Sequence, residues 1–265
     1  KLPMLPQMLW ELEAAFQNRA MGAIEIADLI EKDLSLTATL LKVSNSAFFR
    51  GNAEFITVRD AVVRVGLNET RRLTRAMLLV DALSHDGGSM DYDEYWRHGL
   101  LVGVAASFLQ EYAFPDSPLL PDEAYLAGLL HDIGQLVLDQ YFEPENDRVT
   151  KYVQDHGGAR HDAERIELGV DHGVIGAELL ELWGLPDKVI EPVRWHHAVQ
   201  EAPEEWRHPA ALIAAANAIC HERESRLIGV DDEPDPFPGL NDARSRELRK
   251  ELDREERLLR IITAV

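Results

Sequence analysis

Apolar side chains recur every three or four positions along nearly the whole chain, and no stretch alternates with the period of two that a half-buried strand requires. That rhythm commits the sequence to an all-α fold. From Ile24 to Phe49, Ile26, Ile30 and Leu34 and then Leu36, Leu40 and Leu41 keep helical spacing, which predicts two short helices broken near Asp33. Asn45-Ser46 and Gly51-Asn52 supply loop chemistry. Val58 to Val65 reads as a helix closed by Gly66, and Leu67 to Leu83 as a longer one. His85 to Asp93, with Gly87-Gly88-Ser89, is polar and marks a boundary. Beyond it come predicted helices at Tyr95–Leu109, Asp122–Tyr141, Asp147–His156, Asp162–Leu168, Asp171–Trp183, Pro186–Trp195 and Pro209–Glu222. Gly229 to Leu240, rich in proline and acid, reads as an irregular linker. A last charged helix spans Asn241 to Ile262, and its Leu248, Leu252, Leu258, Leu259 and Ile262 either dock or leave it frayed. Three segments follow: residues 1–88, 89–228 and 229–265.

Charge narrows the function. Lys and Arg number 27 against 47 Asp and Glu, a formal charge of −20. Residues 1–90 carry 10 basic and 11 acidic side chains, whereas residues 91–265 carry 17 and 36. Nucleic-acid binders present a basic face that displaces counterions, so direct nucleic-acid binding is disfavoured. Arg59, Arg64, Arg71, Arg72 and Arg75 form a local basic cluster that reads as a solvated helix surface. A single cysteine, Cys220, forms no intramolecular disulfide and asks for no oxidising compartment, which favours the cytoplasm. The longest apolar runs, Leu100–Leu109 and Ala210–Cys220, fall short of the roughly 20 residues of a spanning helix, so no membrane segment is expected. Lys1 to Trp10 lacks the pattern of a secretory signal.

Chemistry is sought in the ten histidines. His98 lies in YWRHG, His131 beside Asp132 in LLHDIG, His172 in GVDHGVIGAELL, and His196 and His197 in VRWHH, each in or beside an apolar helix. Imidazole nitrogen and carboxylate oxygen both offer lone pairs to a cation, and a mixed set suits Fe, Mn, Zn or Ni better than calcium. Adjacent helical residues point about 100° apart, so His131 and Asp132 either hold a metal at their shared edge or serve two metals. Taken singly, each histidine reads equally as a packed imidazole with one hydrogen-bond partner. His85, His156, His161, His208 and His221, in loops or beside charges, receive no role. The residues ask for no organic cofactor.

These motifs carry a resemblance. LLHDIG resembles the signature of the HD superfamily of metal-dependent phosphohydrolases. The order LPMLP, EIADLIEKDLSLTATLLKVSNSAFF, ITVRDAVVRVG, AYLAGLLHDIGQLVL, IELGVDHGVIGAELLELWGLP and VRWHH is similar to the HDOD domain, the HD-related output domain of bacterial signalling proteins, over roughly residues 2–225. The resemblance implies an N-terminal helical lobe packed on an HD-like helical bundle. It implies His98, His131, Asp132, His172, His196 and His197 as metal ligands, with Asp132 the residue on which any catalysis would depend. It also implies two departures. Asn217, in ALIAAANAIC, stands where an HD hydrolase has its closing aspartate, and a neutral amide attracts a cation less. Gln135 follows HDIG where HD-GYP cyclic-dinucleotide phosphodiesterases carry a lysine, and it brings neither charge nor transferable proton. No GYP-type motif follows VRWHH. Arg97 and Arg194 are the nearby candidates for a phosphate clamp, although surface solvation explains them equally.

Two readings of different class follow. The favoured one is a regulatory signalling module, non-catalytic or weakly so, that binds a protein partner or small effector and retains a divalent metal in a degenerate HD site. The alternative is a metal-dependent phosphohydrolase acting on a nucleotide or cyclic dinucleotide. A helical scaffold without metal stands as a third.

Overall fold

A computed structural model of the chain describes residues 6–18, 20–45, 57–83, 90–226 and 240–263, and among these it shows fourteen α-helices and no strand. The chain divides into two units, Lys1–Ser84 with Arg257–Val265, and His85–Glu256. The expected loops around Ser46–Asn52 and Gly87–Ser89, and all of the Gly229–Leu240 linker but its last residue, lie outside the described residues.

In the first unit α1 (Gln7–Gln17), α2 (Ala23–Ile30), α3 (Leu34–Ser44), α4 (Val58–Val65) and α5 (Leu67–Leu83) enclose a core of Leu12, Ile26, Ile30, Leu40, Val62, Leu73 and Leu79. The break expected near Asp33 is there, and its cause is local. The Asp33 carboxylate accepts the Leu36 amide at 2.9 Å, which caps α3 and ends any continuation of α2. Thr57 starts α4 in the same way, accepting the Asp60 amide at 3.1 Å, and Gly66 closes it.

The basic cluster of α4 and α5 is not simply a solvated surface. Arg59 is exposed and pairs with Asp28, but Arg75 is buried and shares Glu13 of α1 with Arg71. Arg75 Nη2 donates to Glu13 Oε2 at 2.6 Å and Arg71 Nη2 to the same oxygen at 2.9 Å. Burial pushes the Glu13 carboxyl up, yet the two guanidiniums outweigh it and hold the group below its ordinary 4.5. The partner of these arginines is about 60 positions away in sequence, beyond the reach of any local pattern.

The second unit contains α6 (Tyr92–Tyr112), α7 (Pro121–Leu130), α8 (Ile133–Tyr141), α9 (Glu143–His156), α10 (Arg160–Leu168), α11 (His172–Leu182), α12 (Asp187–Trp195), α13 (Glu204–Arg226) and most of α14 (Asp242–Thr263). α6 packs along α7 and α13, α12 joins α7, α11 and α13, and α11 lies on α8. Leu101, Ala105, Leu109, Tyr125, Leu180, Leu212 and Ile213 fill the interior. Leu248 and Leu252 are fully buried, Arg244 lies 3.8 Å from the Tyr112 ring, and Arg223 pairs with Asp253 and Glu256 at 2.7 Å. The last helix is therefore docked over this stretch; the side chains of Leu258, Leu259 and Ile262 lie outside the described residues. No helix among the described residues is long and apolar enough to cross a membrane.

α6 and α9 begin three and four residues earlier than expected, and two further bounds are corrected. α13 begins at Glu204, with Pro209 inside its second turn, where the acceptor deprived of a donor is the carbonyl of exposed Glu205. The single helix expected over Asp122–Tyr141 is two, broken at His131-Asp132. His131 Nδ1 donates to the Gly128 carbonyl at 2.8 Å, the acceptor that the Asp132 amide would use in a continuous helix.

Replacing Glu13 by glutamine removes the carboxylate that the buried Arg75 guanidinium shares with Arg71 and should lower stability by about 2–3 kcal/mol. The folded carboxyl titrates below the unfolded one. The wild-type advantage is thus full above the ordinary carboxylate range and is lost as pH falls through the folded value. Urea midpoints of both proteins between about pH 3 and 7 should converge at the acid end.

Candidate metal centre

The cluster of the second unit is built from five segments: the middle of α6, the α7–α8 junction, the start of α11, the end of α12 and the face of α13. Two local features set it up. The imidazole-to-carbonyl bond that breaks the helix at His131 recurs at His196, whose Nδ1 donates to the Val193 carbonyl at 2.6 Å as α12 ends. Each bond fixes the proton on Nδ1 and leaves the Nε2 lone pair facing inward. Close approach then brings α11 to the junction. A side-chain carbon at Gly134 would lie 2.0 Å from the His172 carbonyl and 2.8 Å from the Gly176 amide, so only glycine fits between α8 and α11.

Asp132 is the hub. Its Oδ1 lies 2.9 Å from His172 Nε2, 3.3 Å from His131 Nε2 and 3.8 Å from His196 Nε2, and its Oδ2 lies 4.0 Å from His98 Nε2. His197 Nε2 is 2.8 Å from His172 Nε2. Donor atoms of Asp132, His172, His196 and His197 fall within 4.8 Å of one another, and so do those of His98, His131 and Asp132. All six residues named from sequence are thus brought together, and Asp132 belongs to both groups.

Electrostatics distinguish these rings. Burial pushes His131 down to about 3, so it is neutral with its lone pair available. Burial also works against the Asp132 carboxylate, but the surrounding imidazoles, His131 and His172 foremost, hold it well below its usual range. His172 goes the other way. Burial lowers it, yet Asp132 and then Glu164 carry it up to about 10. Its Nδ1 donates to Glu164 Oε2 at 2.6 Å, and its Nε2 faces His197, an imidazole kept neutral by burial and by His196. A proton on His172 therefore answers two buried carboxylates.

The pattern is incomplete in a specific way. His131 Nε2, Asp132 Oδ1 and His196 Nε2 are buried without a hydrogen-bond partner, Asp132 Oδ1 approaching His172 outside hydrogen-bond geometry. Burying a polar atom unpaired costs about 1–3 kcal/mol. Lone pairs left open in both donor groups, which meet at Asp132, fit cations better than any proton arrangement.

The departures from HD hydrolases also face the cluster. Asn217 Oδ1 lies 3.1 Å from His98 Nε2, and Gln135 Nε2 lies 3.5 Å from His172 Nε2. Arg97 and Arg194, the candidate phosphate clamps, do not line the cavity beside the cluster. Arg97 pairs with Glu94 at 3.6 Å, and Arg194 is held by Glu178 at 2.8 Å, by Glu191 at 3.1 Å and by Glu181. Four residues without a role in sequence enter instead. Glu164, fully buried, accepts both the backbone amide and the ring nitrogen of His172. It is brought there by the reversal between α10 and α11, where Gly169 is left-handed at φ 82° and Asp171 caps α11. Arg160 pairs with Glu164 at 2.9 Å. His161 stacks on His197 with centroids 4.0 Å apart, and His221 on His98 at 4.5 Å. The nearest sequence signal for the last two was their place beside the motif helices, which spacing alone does not turn into contact.

Residues 2–199 match the HDOD domain family. The chain is 31% identical over 216 residues to an uncharacterized protein of Treponema pallidum, a match covering 82% of this chain and 41% of that protein. It spans less than half the length of the curated relatives it matches. Among solved structures, a candidate phosphohydrolase from Shewanella amazonensis aligns with a TM-score of 0.78 at 23% identity, over 98% of this chain and 95% of that one. A candidate signal transduction protein from Marinobacter aquaeolei aligns with a TM-score of 0.73 at 26% identity, over 99% of this chain and 58% of that one. With the matched residues covering most of its length and the HD-type cluster assembled in its second unit, the chain belongs to the HDOD family.

Proposed function

We propose that this chain is a cytoplasmic signalling module that holds a divalent transition cation and binds a protein partner or small effector without turning over a phosphoester. The observation that carries the metal half is the trio of buried, unpartnered donors, His131 Nε2, Asp132 Oδ1 and His196 Nε2. His98, His172 and His197 would complete the ligand set, with an all-nitrogen-and-oxygen chemistry that suits Fe, Mn, Zn or Ni. When bound, such a cation polarises a ligand oxygen and acidifies a coordinated water.

The regulatory half rests on what the chain puts around the cation. Asn217 engages His98 with a neutral amide, so α13 adds no negative charge to the cluster. Gln135 stands by His172 with hydrogen-bond donors but no acid, and Arg97 and Arg194 are held by carboxylates away from the cavity. Leaving-group protonation and charge neutralisation in the transition state are both undersupplied. The alternative, a metal-dependent phosphohydrolase, is supported by the completeness of the histidine set and by the likeness to the Shewanella protein.

Glu164 acts here as a positioning residue. By accepting the His172 Nδ1 proton it aims Nε2 at Asp132 and raises the basicity of the ring, the usual service of a carboxylate behind a metal-bound histidine.

Elemental analysis of protein purified without added metal should find a transition metal in the wild type and none in Asp132→Ala or His131→Ala, while cyclic dinucleotides and generic phosphodiesters supplied with manganese or iron stay intact. Turnover that Asp132→Ala abolishes would establish the hydrolase instead. Glu164→Ala should weaken metal affinity by about 10–100-fold, and Glu164→Gln, which keeps an acceptor, by less. Asn217→Asp combined with Gln135→Lys should tighten metal retention about tenfold by restoring a negative ligand, measured by competition with a chelator.

A further inference from the structure

A groove where α8, α9, α10 and α11 meet shares no lining residue with the cavity beside the cluster. It encloses about 350 Å³, and Leu138, Phe142, Leu168 and Ile175 supply its apolar lining. Phe142 is 45% exposed, a large ring left half in water. Apolar surface continues from this lining. Val170, 40% exposed, lies in the turn after Leu168, and Leu182, 72% exposed, stands seven residues after Ile175 on α11. Seven residues are close to two helical turns, so Ile175 and Leu182 share one stripe about 10 Å long. Exposed anchors spaced in this way suit a second helix, whose own apolar residues repeat at three, four and seven positions.

Charge decides the occupant. Glu145 and Glu167 stand at the groove, and Glu178 lies between Ile175 and Leu182 on α11. The basic side chains there are already answered: Arg148 by Glu145 at 3.7 Å and Glu167 at 3.6 Å, and Arg194 by Glu178 at 2.8 Å, by Glu191 at 3.1 Å and by Glu181. The local balance is negative, on a chain whose formal charge is −20. A second copy would bring the same carboxylates against these, and an anionic lipid or nucleic-acid surface would be repelled likewise. A segment that is apolar along one face and basic along its flanks meets both demands.

We infer that this groove docks a basic amphipathic helix of a partner protein, its apolar face on Phe142, Ile175 and Leu182 and its lysines or arginines against Glu145, Glu167 and Glu178. The inference deepens the partner-binding half of the proposed function and rests on it, while standing apart from the metal half. The position suits a signalling role. Ile175 follows His172 by three residues on α11, and Glu167 follows Glu164 by three on α10, so a helix seated here packs against the two helices that carry the His172–Glu164 contact.

The test titrates the full chain into a fluorescein-labelled peptide of leucine and lysine patterned as an amphipathic helix, with its leucine–glutamate counterpart alongside, and reads fluorescence anisotropy at about 0.15 M salt. Metal content is measured on every sample. Leu182→Ser and Phe142→Ser remove apolar anchors and leave every charge in place, and the exposure of Leu182 keeps its replacement from disturbing the core. Glu145→Gln combined with Glu167→Gln frees Arg148 and reverses the local charge. The lysine peptide should bind the wild type and the glutamate peptide should not, and each of the three variants should weaken binding about tenfold. No binding of the lysine peptide, or equal affinity in the wild type and Leu182→Ser, overturns the inference, and leaves the metal half to be judged by metal content. Self-association that Leu182→Ser abolishes would assign the groove to a second copy, and binding to phosphatidylglycerol vesicles that Leu182→Ser abolishes would assign it to a membrane; either overturns the basic partner. A metal-free wild type that binds the lysine peptide more tightly than Leu182→Ser does upholds the inference and overturns the metal half alone.

Discussion

A carboxylate buried among imidazoles sets the terms for the second unit. Asp132 cannot remain charged in that interior unless positive charge answers it, since an isolated buried ion would cost far more than the margin by which a domain is stable. The cluster provides the answer by drawing His172 up to about 10 while burial keeps His131 near 3. Neighbouring rings of one residue type thus carry opposite protonation states. The difference lies in their contacts: Asp132 approaches His172 more closely than His131, and Glu164 stands behind His172 where a neutral carbonyl stands behind His131. A cation beside Asp132 would take over the role of the His172 proton and also satisfy donors of the cluster that have no hydrogen-bond partner.

The backbone is arranged around that demand. His131 and His196 each take a carbonyl from the end of their own helix, so one bond terminates α7 or α12, fixes a tautomer and turns an Nε2 lone pair inward. Gly134 lets α8 and α11 approach until His172 stands at 2.9 Å from Asp132. The last letter of the HDIG motif is thereby explained by packing, the first two by chemistry. Glu164, Arg160 and Asn146 continue the polar contacts outward from His172 to the wall of the cavity and on to α9.

Periodicity made the helices legible where the deciding interaction is local. The Asp33 cap, the Thr57 start of α4 and the Asp171 start of α11 are all written within four residues. It failed at His131-Asp132, because the apolar rhythm runs on through a break made by a side chain taking a backbone acceptor. The six cluster residues were legible through their motifs and order. Glu164 was not, because its partner is eight positions away across a turn whose reversal depends on Gly169 and Asp171. His161 and His221 were discounted as loop or charge-flanked residues, yet ring stacking is a property of packed helices that no spacing reveals. The same holds for Arg71 and Arg75, whose exposed appearance in sequence dissolves once Glu13 is placed against them.

The central claim is that distant imidazoles converge with Asp132 to hold a cation. Anomalous diffraction recorded at the absorption edge of the metal carried by the purified protein reads this directly. The account predicts a peak at bonding distances of about 2.0–2.2 Å from Asp132 and from the imidazole nitrogens of at least one of its two donor groups, His98 with His131 or His172 with His196 and His197. A map with no peak there, and with those rings turned to bond one another or solvent, would contradict it.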